Sequence, residues 1–269
     1  MHGAGNDFVV LDARSRINGV SLGKIDGEAA RRIADRRTGI GCDQLIVVGP
    51  ARQPGADAFM SIFNPDGSEV SACGNATRCV AWMLMSESGT GYATIETRAG
   101  LLSAQAAGPN RVAVDMGPAR LEWDQIPLAE AMDTLHLPVS AGRLSDPVGV
   151  GMGNPHAVFF VLDAESVNLS ELGPKLEHDP LFPERCNIEA AQVLDDGRIR
   201  MRVWERGAGI TLACGTGACA TLVAAARRGL TGRKADILLD GGTLTIEWLE
   251  NNHVMMTGPV ALAYSGMLP

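Results

Sequence analysis

Two stretches of this chain, ATRCVAWMLMS at 76–86 and GACATLVAAARR at 217–228, have helical length and carry apolar residues on nearly every side. A helix apolar all round cannot rest on one face of a sheet with its back in water, so it must be surrounded. Short β-branched runs and glycine-bearing turns stand on both sides of each stretch. The expected unit is therefore a sheet curled around one central helix. Each helix is preceded by the same tripeptide, Ala72-Cys73-Gly74 and Ala213-Cys214-Gly215.

Other landmarks recur in the same order. Gly5-Asn6-Asp7 finds a counterpart in Gly153-Asn154-Pro155, and Cys42-Asp43 in Cys186-Asn187. Three matches in order point to a duplicated domain. The expected fold class is α+β, with two pseudo-symmetric lobes, each a curled, mostly antiparallel sheet around a central helix. The lobes are placed at 1–117 and 118–259. A doubly wound parallel sheet would require regular alternation of strands and helices, which the pattern lacks. Asp26 is expected to cap a helix at 27–36, and Leu169–Glu177 reads as a second short helix. The proline-punctuated stretch after Gly117-Pro118 reads as a crossover.

The chain has 269 residues, 46% of them hydrophobic, which suffices for a large core. A formal net charge of −8 argues against nucleic acid or an anionic membrane as partner, since both require a basic face. No run approaches the ~20 apolar residues of a membrane span, and the N-terminus lacks a signal-peptide pattern. The expected location is the cytoplasm. The six cysteines include no Cys-x-x-Cys pair and no accompanying histidine cluster, so neither a metal site nor a disulfide framework is expected. Cys79 and Cys219 fall inside the helices, and Cys42 and Cys186 are read as core.

Cys73 and Cys214 stand apart because each opens a helix. Helix starts carry unpaired N–H groups and a partial positive charge, which favour a thiolate and can hold a carboxylate. An effect of up to ~2 kcal/mol would bring a thiol from ~8.5 to about 7. Two such thiols, one per lobe, suit removal of a proton from one face of a stereocentre and delivery of another to the opposite face. Glu205-Arg206 offers a carboxylate for an ammonium and a guanidinium for a carboxylate. Asn6, Gln44, Asn64, Asn75, Asn154 and Asn187 fall in loops or at strand ends, where each is either a ligand group or an Asx-turn residue. His156 either orients a ligand or is a satisfied structural histidine. The three lysines, Lys24, Lys175 and Lys234, lie away from these landmarks, which disfavours pyridoxal phosphate.

The motifs Met1-His2-Gly3-Ala4-Gly5-Asn6-Asp7-Phe8, Phe63-Asn64-Pro65-Asp66-Gly67-Ser68-Glu69, Ala72-Cys73-Gly74-Asn75, Gly153-Asn154-Pro155-His156, Trp204-Glu205-Arg206-Gly207 and Ala213-Cys214-Gly215-Thr216-Gly217 together resemble the diaminopimelate epimerase family. The resemblance spans essentially the whole chain. It implies a cofactor-independent epimerase interconverting LL- and meso-diaminopimelate in lysine and peptidoglycan precursor synthesis, working as a homodimer. It also implies a site in a cleft between two lobes, with 260–269 returning to the first lobe. By motif, Cys73 and Cys214 become the acid–base pair, and Gly74, Asn75, Gly215 and Thr216 the helix-mouth groups for the reacting carboxylate. Glu205, with Asn6 and Gln44, would face the reacting ammonium. Asn64, Asn154, Asn187 and Arg206 would hold the distal centre, with His156 and Glu205 supporting the cysteines. The motif begins at Met1 here, so a shortened first strand is expected. The competing enzyme is a proline or hydroxyproline racemase. The competing non-enzyme is an amino-acid-binding module with a redox-sensing cysteine pair.

Overall fold

Residues 1–14, 25–71 and 73–267 are described in a computed structural model of the chain. The chain divides into two compact units, Met1–Asp115 with Thr257–Pro269, and Met116–Met256.

The first unit opens with a two-residue strand β1 (His2–Gly3), which turns back through Ala4-Gly5 into β2 (Asn6–Asp12). Both turn residues have positive φ, 51° and 90°, as a two-residue hairpin of this hand requires. Then come α1 (Gly27–Ala34), β3 (Gln44–Gly49), β4 (Ala58–Phe63), β5 (Glu69–Val70), α2 (Gly74–Ser88), β6 (Tyr92–Thr97), β7 (Gly100–Ala106) and β8 (Arg111–Pro118). The sheet order is β1-β2-β3-β4-β6-β7-β8, with β5 on β4. The pairs β2–β3 and β4–β6 are parallel; β1–β2, β3–β4, β6–β7 and β7–β8 are antiparallel.

The stretch expected as a crossover carries strands for which the sequence reading had no place: a small hairpin, β9 (Ser140–Ala141) and β10 (Leu144–Ser145), and then β11 (Val148–Gly151). Prolines flank these strands without entering them, which is why punctuation alone hid them. β12 (Pro155–Phe160), α3 (Leu169–Glu177), β13 (Asn187–Val193), β14 (Ile199–Glu205), β15 (Gly209–Ile210), α4 (Gly215–Arg227), β16 (Lys234–Leu239), β17 (Gly242–Trp248) and β18 (His253–Pro259) follow. In the second unit the order is β11-β12-β13-β14-β16-β17-β18, with β15 on β14. Here β12–β13 and β14–β16 are the parallel pairs, and β11–β12, β13–β14 and β16–β17 are antiparallel. The two units repeat one topology element for element. The fold is α+β, and the strands of both units follow the same mostly antiparallel plan.

The helices explain the curl. α2 packs on β1 and β2 near one end of its sheet and on β6 and β7 near the other. α4 touches β11, β12, β13, β14, β16 and β17. One helix can meet strands that far apart only if the sheet bends around it. The interior of each helix is correspondingly buried on all sides, from Gly74 to Ala81 in α2 and from Gly217 to Ala225 in α4. Cys79 and Cys219 lie in these interiors, whereas Cys42 packs in the core under α1 and Cys186 in the core under α3.

The peripheral helices are simpler. Asp26 caps α1 by accepting from Ala29 N at 2.9 Å, and the helix ends at Ala34, two residues earlier than its sequence suggests. Ile40, Gly41 and Cys42 fold back and donate to the carbonyls of Ile33 and Ala34, so the last turn is satisfied by the loop itself. α3 covers the range expected. Lys24 falls outside the described residues. Residues 260–269 form no further strand among the described residues; instead His2 and Ala261 exchange backbone hydrogen bonds of 2.9 Å, and Val260 donates to Asn110.

Candidate active site

In the first unit, the candidate residues gather around the start of α2. Cys73 is the N-cap, with extended backbone (φ −148°, ψ 113°), and Gly74 and Asn75 form the first turn. The β1–β2 hairpin delivers Asn6 to this turn, where Asn75 Nδ2 donates to Asn6 Oδ1 at 2.6 Å. Asn6 Nδ2 in turn donates to Asp43 at 3.3 Å. Asn75 Oδ1 is buried with no hydrogen-bond partner among the described residues. An orphaned acceptor costs about 1–3 kcal/mol, which a bound N–H donor would recover. Gln44 opens β3 and donates to Asn64 Oδ1 at 3.1 Å. Asn64 is held by the tight turn that follows β4, in which Asn64 N donates to Ser68 O at 2.8 Å and Gly67 takes φ 81°. A side chain at Gly67 would meet Gly27 O at 2.2 Å, so this turn is pressed against the start of α1.

Behind Asn6 stands an ionic clasp that the sequence reading missed. Arg36 reaches both oxygens of Asp7, at 2.7 and 2.9 Å, and Asp43 at 2.8 Å. The hydrogen bonds from Arg36 bring the Asp7 carboxyl down to about 2, against a smaller opposing effect of burial. A lowered carboxyl stabilises the fold above its unfolded value, near 3.8, and the contribution disappears as pH falls through the folded value near 2. Because both partners are half exposed, the pair contributes about 1 kcal/mol or less. Asp7→Asn is therefore expected to be less stable than the parent above about pH 4, with the gap closing by about pH 2. Urea midpoints across that range are the measurement.

In the second unit, Cys214 caps α4 and is buried. Its sulfur accepts from Gly217 N at 3.3 Å and lies 3.5 Å from the Thr216 hydroxyl. Those donors favour a thiolate, yet the thiol is pushed well above its ordinary value, first by burial and then by the charges of Glu205 and Glu189. Dipole placement alone suggested a thiol poised near neutrality. For Cys214 desolvation and two carboxylates outweigh one helix mouth, and the group rests as S–H. Glu205, which accepts from the Thr211 hydroxyl, is itself raised, mainly by burial.

The hairpin between β11 and β12 mirrors the one that carries Asn6. Gly153 takes φ 91° and presents Asn154. Asn154 lies 3.4 Å from Thr216 through Nδ2 and 3.0 Å from His156 Nε2 through Oδ1. His156 Nδ1 faces Glu189 Oε1 at 2.6 Å, both side chains fully buried. Asn187 spends its amide on backbone, donating to Pro155 O at 2.9 Å and accepting from Arg206 N at 3.0 Å. It fixes the turn that carries Glu205 and Arg206. Arg206 Nη1 donates to Glu184 O. A second clamp on that turn is Glu177, which accepts from Trp204 Nε1 at 2.7 Å and Gly207 N at 3.0 Å. Within the units, Asn6 thus joins Asn75, Gln44 joins Asn64, and Asn154 joins His156 and Thr216; Asn187 and Arg206 meet through the backbone.

Sequence reasoning gave no role in the site to Asp7, Asp43, Glu177 or Glu189. For Glu189 a signal existed: β13 reads NIEAAQV, a strand with apolar or small neighbours on both faces, where a carboxylate has to have a partner.

A family model described as diaminopimelate epimerase matches residues 1–122 and 148–263. A diaminopimelate epimerase from Rhodospirillum centenum is 63% identical over 268 residues, covering 100% of this chain and 90% of that protein. One from Acidiphilium cryptum is 56% identical over 268 residues, covering 100% and 94%. Among solved structures, a probable proline racemase from Agrobacterium radiobacter K84 with bound carbonate superposes with a TM-score of 0.66 over 96% of this chain and 88% of that one. At 18% identity, that likeness concerns the fold alone.

Proposed function

This chain belongs to the diaminopimelate epimerase family, and from that premise we propose that it interconverts LL- and meso-diaminopimelate with Cys73 and Cys214 as its acid–base pair. The observation that carries the cysteine assignment is the repeated placement of one cysteine as N-cap of the buried helix in each unit. In one direction a thiolate takes the α-proton, leaving the electron pair on carbon, and the thiol of the other cysteine gives its proton to the opposite face. The cysteines exchange roles for the return. No metal or cofactor is assigned a step.

The α-carboxylate takes on charge as the carbanion forms, and the helix-mouth amides of Gly74, Asn75, Gly215 and Thr216 suit it. Glu205 suits the reacting ammonium, with Asn6 and Gln44 as further polar partners. An ammonium beside Glu205 would offset one of the two charges that hold Cys214 as a thiol. Substrate binding would then itself make the thiolate of Cys214 less costly. Asn64, Asn154, Asn187 and Arg206 are assigned to the distal centre; for Asn187 that role is through the turn it fixes. The lobes at 1–117 with 260–269 and at 118–259 are taken as the two moving parts of a cytoplasmic homodimer acting on this small molecule, with neither nucleic acid nor membrane as partner. Among the described residues, no helix is long and apolar enough to cross a membrane.

Incubation of LL-diaminopimelate with the protein in D₂O tests the reading. Deuterium at the α-carbon together with the meso isomer is expected; turnover of proline or hydroxyproline without diaminopimelate would overturn it. Glu177→Gln checks the binding turn. The new amide would point an N–H group at either Trp204 Nε1 or Gly207 N, both donors. KM is expected to rise about tenfold with kcat changing less, as read by steady-state kinetics.

A further inference from the structure

His156 meets an acceptor at each ring nitrogen: Glu189 Oε1 at Nδ1 and Asn154 Oδ1 at Nε2. A neutral imidazole has one N–H and can satisfy only one of them. We propose that Glu189 is a positioning residue that holds His156 as a doubly donating imidazolium, and that this ring fixes Asn154, and through it Thr216, against Cys214. The proposal rests on Cys214 being one of the acid–base pair.

The contacts run in one direction. Glu189 takes the first ring proton and Asn154 Oδ1 the second, which turns Asn154 Nδ2 toward Thr216 Oγ1 at 3.4 Å. With that oxygen accepting from Asn154, the Thr216 hydroxyl proton is left for Cys214 Sγ at 3.5 Å. Glu189 Oε2 is buried and has no donor among the described residues, so its charge bears on the ring. The backbone leaves room for this carboxylate: a side chain at Gly217 would lie 2.8 Å from Glu189 Oε1 and 3.2 Å from Cys214 Sγ. Among the described residues, the charged or titratable groups of this cluster are Glu189 on β13, Glu205 on β14 and Cys214 at the cap of α4. β11, which pairs with it from the other side, carries only Val and Gly.

Two effects of Glu189 on Cys214 oppose each other, which gives the test its sign. Its field disfavours the thiolate, so a carboxylate that acted by field alone would, once removed, leave the enzyme faster. A carboxylate that orders His156 would leave it slower. Glu189→Gln is expected to lower kcat/KM about 100-fold relative to the parent at about pH 8. A gain in activity would overturn the proposal. The ring nitrogens of His156 can be read in the parent protein without any turnover, with the signal assigned through His156→Gln. Nitrogen NMR is expected to show both nitrogens protonated through about pH 8. One unprotonated nitrogen across that range would overturn the proposal even if Glu189→Gln did not fold. Failure to turn over diaminopimelate would instead count against the epimerase reading and leave the nitrogen signature standing.

Discussion

Replacing Cys214 with Ala is expected to slow epimerisation of LL-diaminopimelate by about 10⁴-fold, with substrate binding little changed. General acid–base transfer by one positioned group contributes ~10²–10⁴, and a two-base mechanism cannot complete either direction with one group missing. Cys73→Ala should fall to the same level. The double variant should be no slower than either single one, because groups that act as a unit do not contribute additively. The two single variants are expected to differ in one readout. Each retains the base for one stereoisomer, so it should still exchange that isomer's α-proton slowly with D₂O while failing to invert it. Equal retention of exchange with both isomers in either variant would place the proton transfers on other residues.

Gly217→Ala is the second change with a large expected effect, and its sign runs against propensity. At an ordinary helix position this substitution gains up to ~1 kcal/mol. Here the new methyl would meet Glu189 Oε1 at 2.8 Å and Cys214 Cβ at 3.3 Å. Neither neighbour is a loose end. Glu189 is fully buried and hydrogen-bonded to His156, and Cys214 is the helix cap itself. Overpacking of this kind costs about 1–3 kcal/mol. The variant is expected to be destabilised by a similar net amount, read from urea midpoints, and to lose activity about 100-fold or more, since relief requires moving either the carboxylate or the sulfur.

Much of the candidate site could be read from letters, because the residues proposed for the chemistry sit where local sequence rules are strongest. Cys73 and Cys214 were marked by Cys-Gly at the edge of an apolar run, Asn6 and Asn154 by Gly-Asn at hairpins, and Glu205-Arg206 by two charges at the end of a strand. The missing residues act across the fold. Asp43 stabilises Asn6 from 37 positions away, and Glu189 meets His156 from 33 away. No periodicity announces such a partner. The strands at 140–151 were missed for a different reason. They are short and lie in a proline-rich stretch that resembles a linker. The direction of the Cys214 thiol shift was misjudged because a helix dipole can be recognised from sequence, whereas burial and the charges of a partly buried and a buried carboxylate cannot.

The first unit is made from both ends of the polypeptide: β1 is tied to Ala261 and β8's neighbour Asn110 to Val260, whereas the second unit is one uninterrupted segment. On a ribosome, the part begun first is thus the part finished last. The N-terminal half must wait, incomplete, through synthesis of everything after it, while 116–256 can close on its own strands. Deleting the final dozen residues should therefore injure the opposite end of the chain, and a nascent-chain protease assay should find the later half protected first.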